Sequence, residues 1–148
     1  GYFYITGRLD DIINVAGHRL STAEMEELVA AHDSVAECAV IGIADELRGQ
    51  RPVGLIVLRP GQPLSPEQLQ AELIQRVREA IGAVAYFRQV LLVDRLPKTR
   101  SGKILRRTLR ALADGQAFTL PSTLDDPTII DEIHAVMQHA GMAHPTAS

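Results

Sequence analysis

Val35-Ala36-Glu37-Cys38-Ala39-Val40-Ile41-Gly42-Ile43-Ala44, followed after a charged gap by Val53-Gly54-Leu55-Ile56-Val57-Leu58, sets the architecture. Both runs are apolar and rich in β-branched residues, which predicts two strands of one sheet. The gap from Asp45 to Pro52 carries charge and a glycine and reads as their connecting loop. Toward the C-terminus, Pro60-Gly61-Gln62-Pro63 breaks the pattern and Ser65-Pro66-Glu67-Gln68 opens a helix. There Ser65 is the cap, Pro66 fits the first turn and Gln68 reaches back. Leu69, Leu73, Ile74, Val77 and Ile81 form its apolar stripe. Val90 to Val93 is a further buried strand, Leu96 to Gly102 a loop, and the basic segment after it a helix with Ile104, Leu105, Leu109 and Leu112 inward. Asp126-Pro127 starts a last helix that buries Ile129, Ile130, Ile133, Val136 and Met137.

Toward the N-terminus, Ser21-Thr22-Ala23-Glu24 is a capping-box pattern, and Met25, Leu28 and Val29 lie at core spacing behind it. Tyr2 to Thr6 and Ile12 to Val15 are β-prone and read as a hairpin-like pair joined by Gly7-Arg8-Leu9-Asp10-Asp11. The order ββ-α-β-β-α-β-α-α predicts an α+β fold: a small sheet flanked by helices and preceded by a short two-stranded hairpin.

The chain's 148 residues suit one domain. A hydrophobic content of 46% with 22% charge is that of a globular protein, not of a disordered or membrane-embedded one. No apolar run reaches the roughly 18 residues of a membrane span. Five scattered histidines and one cysteine offer no metal-ligand spacing, and Cys38 in its apolar run reads as a buried, inert thiol. Gly1 stands where a Met would open a complete chain, and no leader features follow, so the sequence reads as a piece of a longer protein. Seven of the fifteen basic residues lie between Arg95 and Arg110 with no acid among them, although the net charge is −3. Such asymmetry points to a localised anionic ligand, either a phosphorylated small molecule or nucleic acid.

Pro97-Lys98-Thr99-Arg100-Ser101-Gly102-Lys103 is the sharpest local feature. Proline fixes the start of the loop, Ser101-Gly102 lets backbone approach a ligand, and Lys103 is expected where the next helix begins, at its positive end. A solvated basic turn is the bland alternative. A P-loop is excluded, because that motif needs Gly at position 97 and Ser or Thr at 104, and Pro97 and Ile104 stand there. The second feature runs from Gly7-Arg8-Leu9-Asp10-Asp11 through Asn14-Val15-Ala16-Gly17-His18-Arg19-Leu20. Taken singly, its parts are an acidic turn and a glycine bulge.

Together the two segments resemble the hinge motif and the C-terminal lysine motif of adenylate-forming enzymes, a superfamily of acyl-CoA synthetases, peptide-synthetase adenylation domains and beetle luciferases. The likeness covers Gly1 to about Gly115. Val15-Ala16-Gly17-His18-Arg19, the run Lys98 to Arg107 and the extension Ser122 to Pro127 are similar to the short-chain branch, acetyl- and propionyl-CoA synthetases. Ala85-Tyr86-Phe87-Arg88 resembles the propionyl type, with acetate-CoA ligase as the alternative.

The resemblance implies a mobile C-terminal domain over residues 1–116, a helical extension of it over 117–140 and a frayed tail over 141–148. It implies Lys103 as the catalytic residue of adenylation and Asp10 as the hinge. It further implies Arg19 as the contact to the adenylate phosphate, and Gly17, His18 and Arg78 as coenzyme A-binding residues. ATP or AMP, coenzyme A and Mg2+ are the implied cofactors, held mainly by a separate N-terminal domain. That domain, a short-chain carboxylate and a lysine acetyltransferase or deacetylase acting on Lys103 are the implied partners, with no membrane and no nucleic acid. The expected location is cytoplasmic, or the mitochondrial matrix in a eukaryote. The phosphate-gripping loop and acyl pocket of the family are absent from this sequence, so it is expected to be inactive alone. From other classes, a nucleic-acid-binding module using Arg95 to Arg110 and a docking module stand as rivals. Few aromatic residues and negative net charge weigh against the first.

Overall fold

The structure, a computed structural model, describes residues 12–116 and 126–141. Its centre is the antiparallel pair β3 (Val35–Asp45) and β4 (Gly49–Leu58), in register from Asp45↔Gly49 to Val35↔Leu58. Because successive side chains point to opposite faces of a strand, each strand feeds two cores. Ala39, Ile41, Ile43, Val53 and Leu55 enter one, while Cys38, Val40 and Ile56 enter the other. A register shift between Val35 and Glu37 inverts this parity, so odd-numbered Val35 joins the even-numbered set. β5 (Val90–Leu92) lies parallel to β4, with Leu91 on the first face and Val90 on the second.

β1 (Ile12–Val15) and β2 (His18–Ser21) form an antiparallel hairpin, and β1 meets β4 at Val15↔Gly49. The sheet order is β2-β1-β4-β3, with β5 beside β4. Where β1 and β4 diverge, the Gln50 side-chain oxygen accepts the Asn14 N–H at 3.0 Å in place of a ladder bond. Ile12–Val15 pairs with His18–Ser21, a partner that the sequence reading did not name, and this hairpin joins the main sheet where β1 meets β4. Tyr2–Thr6, the connection containing Asp10 and the stretch Ser122–Asp125 lie outside the described residues.

Helices cover both faces. α1 (Thr22–Ala30) and α2 (Pro66–Ala80) bury Met25, Val29, Leu69, Leu73 and Val77 on one side. α3 (Arg106–Ala113) and α4 (Thr128–His139) bury Leu109, Leu112, Ile129, Ile130, Ile133 and Met137 on the other. Full burial of an aliphatic side chain of this size contributes about 1.5–3 kcal/mol before chain entropy opposes it. Both predicted caps form: Ser21 Oγ accepts the Glu24 N–H, and Ser65 and Gln68 exchange two 3.1 Å bonds. Further, His32 Nδ1 accepts the Ser34 N–H, which leaves Nε2–H to donate to Glu72 of α2 at 2.7 Å.

The outer edge of β3 would expose unpaired amides. Side chains close it. Glu26 of α1 accepts the Val40 N–H at 2.9 Å and Asp114, at the end of α3, accepts that of Ala44 at 2.9 Å. α3 thus runs along this edge, and its path fixes the loop in front of it.

Candidate functional site

After β5, Leu96 and Pro97 are buried and the chain turns outward. Lys98 and Ile104 form an antiparallel bridge, and the Leu105 N–H donates to the Pro97 carbonyl at 3.0 Å. Within this neck, Thr99 organises the tip. Its N–H donates to the Lys103 carbonyl at 2.9 Å, its carbonyl accepts from Gly102 N at 2.8 Å, and its hydroxyl accepts from Lys103 N at 3.2 Å. Gly102 takes φ +92°, a backbone that side chains disfavour. The result is a compact finger, in contrast to the predicted helix start at Lys103. α3 begins only at Arg106, so Lys103 gains its position from the finger and not from a helix end. The Lys103 side chain is exposed, and no ion pair joins it to another described residue.

Ion pairs brace both stems of the finger. Lys98 Nζ lies 2.7 Å from Glu37 of β3. Arg106 grips Glu26 through Nε at 2.7 Å and Nη2 at 2.6 Å, with both partners largely shielded from solvent. An open groove runs beside the finger, lined by Ala23, Glu27 and Ala30 of α1, Cys38, Lys98 and Ile104 among others. Burial pushes the Cys38 thiol up to about 12, helped by the Glu26 charge and opposed by Arg106. It is an inert group, as its apolar run predicted.

Gly17 lies in a second structure. Ala16 at φ +52° and Gly17 at φ +87° form the two-residue turn between Val15 and His18, the backbone that a tight, right-twisted hairpin requires. A Cβ built on Gly17 would meet no atom of a described residue within 4 Å, so among the described residues the turn is uncovered. The Ala16 N–H donates to the Arg48 carbonyl at 2.8 Å. The Arg48 guanidinium lies 3.5 Å above the Tyr86 ring, and that of Arg88 lies 4.7 Å from the same ring. Tyr86 follows the 3-10 turn Ala83–Ala85 and is itself left-handed at φ +53°. Beside it, Arg78, Gly82, Phe87 and Arg88 line a shallow depression. Thus exposed His18 and Arg19, Gly17 and Arg78 share one end of the molecule, connected through Arg48 and Tyr86.

Lys103 is at the other end. Its finger is tied to Glu37, early in β3, whereas the glycine turn is tied to Arg48, just past the end of β3 at Asp45. At about 3.3 Å per residue, the strand between Glu37 and Asp45 separates the two by roughly 25 Å. The predicted site residues therefore form two groups, not one pocket. Asp10, the predicted hinge, lies outside the described residues. Sequence reasoning missed Glu26, Glu37, Arg48 and Arg106. Arg48 fell inside a stretch read only as a charged loop, and the acid–base partners lie up to 80 residues apart.

The family model of the AMP-binding enzyme C-terminal domain matches residues 24–103. An uncharacterised protein of Pseudomonas aeruginosa is 61% identical over 138 residues, covering 93% of this chain and 22% of that protein. A mitochondrial short-chain acyl-CoA synthetase family member of Dictyostelium discoideum is 50% identical over 145 residues, covering 98% and 21%. An acetyl-coenzyme A synthetase of Penicillium chrysogenum is 51% identical over 135 residues, covering 90% and 20%. Among solved structures, an acyl-CoA synthetase of Brucella canis superposes with a TM-score of 0.63 at 40% identity, over 70% of this chain and 19% of that one. The chain thus spans about a fifth of the length of the relatives it matches. With more than half of its residues matched by the family model, the chain belongs to the AMP-binding enzyme C-terminal domain family.

Proposed function

We propose that this chain is the mobile C-terminal domain of an AMP-forming short-chain acyl-CoA synthetase, most closely of the propionate type. In the first half-reaction a carboxylate oxygen attacks the α-phosphorus of ATP, giving acyl-AMP and releasing pyrophosphate. In the second, the coenzyme A thiolate attacks the acyl carbon and AMP departs. The first step brings two anions together, so a preorganised cation touching both lowers its barrier. Lys103 is that cation, carried at an exposed and braced tip. In the second step the Gly17 turn faces the reaction centre, where its missing side chain leaves room for the pantetheine arm. Arg19 meets the adenylate phosphate, and Arg78 with His18 meets coenzyme A.

The observation that carries this reading is that the two groups are anchored at opposite ends of β3, the Lys103 finger at Glu37 and the Gly17 turn at Arg48, with roughly 25 Å of strand between the anchors. One placement of the domain cannot bring both to one reaction centre, so the domain turns between steps, with Asp10 as the pivot. Among the described residues no three His, Cys, Asp or Glu side chains converge. Those residues do not fit a protein-held Mg2+, and no step assigned to this chain uses one.

The test is Lys103→Ala in the full-length protein. Adenylation, followed as ATP–pyrophosphate exchange with propionate and with acetate, is expected to fall about 10²–10³-fold, the loss typical of one transition-state donor. Thioester formation from supplied acyl-AMP is expected to persist. Equal losses in the two assays would remove Lys103 from this role. Faster exchange with acetate than with propionate would move the substrate assignment to the acetate type.

A further inference from the structure

We propose that Glu26 and Glu37 are positioning residues that hold the Lys103 finger in its working geometry. The inference rests on the reading of Lys103 as the adenylation group. It starts from the finger's two stems, each of which carries one cation. Lys98 on the incoming stem pairs with Glu37, and Arg106 on the outgoing stem pairs with Glu26. The acids belong to different elements, β3 and α1, so the finger is held from two directions. Glu26 is itself fixed, because its Oε2 accepts the Val40 N–H at 2.9 Å as well as Arg106 Nε at 2.7 Å. Its other oxygen accepts Arg106 Nη2 at 2.6 Å, and a bidentate fork of this kind sets angle as well as distance. Between the stems, the Lys98↔Ile104 bridge turns two anchored ends into one rigid unit.

These acids do not reach the ammonium they serve. They act through Lys98 and Arg106, leaving the Lys103 charge unpaired by any described residue. That division suits its task. A carboxylate beside Lys103 would hold it away from an anionic substrate, whereas carboxylates on its neighbours fix the backbone and leave the ammonium available.

The Lys98–Glu37 pair is about one-third exposed, 33% and 40% for the two side chains. A pair so exposed contributes little to global stability, which separates positioning from folding. In the full-length protein, Glu37→Gln is expected to lower kcat of adenylation about 10-fold, within the ~10²-fold that a 1 Å misplacement costs. KM for ATP and carboxylate, Tm, and thioester formation from supplied short-chain acyl-AMP should hold. Glu26→Gln, which breaks a largely shielded pair, should also lower Tm, and in the folded protein it should cut adenylation further while thioester formation holds. Exchanging the charges, Glu37→Lys with Lys98→Glu, should recover most of the adenylation rate that either single reversal removes. Parallel loss of both half-reactions, or unchanged adenylation in both Gln variants, would overturn the proposal. Lys103→Ala, assayed alongside, separates the failures. If it abolishes adenylation while the Gln variants do not touch it, only the positioning role falls. If it leaves adenylation intact, the underlying reading of Lys103 falls as well.

Discussion

Cys38 lines the groove beside the finger that carries Lys103, yet the two residues have opposite chemistry, and the cause is local. Lys103 projects from a loop into solvent, while the Cys38 side chain points from β3 into the core beneath α1 and α2. Its thiol is 3.4 Å from the Glu26 carbonyl, and burial has moved its ionisation to about 12. Since only the thiolate is nucleophilic, a pKa of 12 leaves about one molecule in 10⁴ reactive at pH 8. Cys38 is therefore expected to resist a disulfide reagent in the native chain and to react fully once guanidinium unfolds it. Stopped-flow thiol titration checks this, and a native rate like that of free cysteine would mean that the β3 edge opens. This residue was legible early because an apolar, β-branched run has one physical outcome. The Ala16-Gly17 turn was not, because an alanine at positive φ is a cost that only the surrounding hairpin imposes.

At the scale of elements, α4 shows what pattern reveals and what it hides. Its apolar stripe was visible at helical spacing and is buried at Ile129, Ile130, Ile133 and Met137, with Val136 half-buried. Its attachment was not visible, because it depends on Arg95, some thirty residues earlier in the chain. Arg95 donates to Asp126 and Glu132 at 2.7 Å each and to Thr128 at 3.1 Å, joining the segment after β5 to the start of α4. The Thr128 hydroxyl first, then Arg95, hold the Asp126 carboxyl down at about 2 against an ordinary 3.8. A depressed carboxyl favours the fold when ionised. Its contribution is complete above about pH 4 and disappears as pH falls through about 2. Amide exchange along α4 is expected to accelerate over that window more than exchange in β3 and β4. Arg95→Ala should flatten the difference, and added salt should mimic it in part, because these groups are exposed. Uniform acceleration across all elements would show global acid unfolding instead of release of α4. The boundaries of β4 and α3 were misplaced for a related reason. Gln50, Arg51 and Pro52 look like loop residues, but the pairing with β3 carries them into the strand, and the finger's hydrogen bonds delay α3 to Arg106.

For the molecule as a whole, the fold places two small devices at opposite ends of a rigid ladder. β3 and β4 are buried on both faces, so they transmit position without bending; under the proposed function, a turn of the body moves one device away as the other arrives. The proposed function predicts that substitution at either end separates the two half-reactions, and Gly17 tests the end not yet challenged. A Cβ there meets no atom of a described residue within 4 Å, so the branch point of Gly17→Leu adds no clash with the described domain. It does meet the positive φ of +87°, a strain of about 1–3 kcal/mol that should lower Tm by several degrees without unfolding the chain. In the full-length protein that side chain would occupy the space assigned to the pantetheine arm. Thioester formation from supplied acyl-AMP is then expected to fall at least about 10²-fold, while pyrophosphate exchange stays within about 3-fold, a gap of two kcal/mol or more on an RT scale. The mirror-image loss is expected for Lys103→Ala. If Gly17→Leu instead slows both half-reactions alike in a protein whose melting confirms that it is folded, the two ends do not alternate, and roughly 25 Å of strand between them serves only to build the sheet.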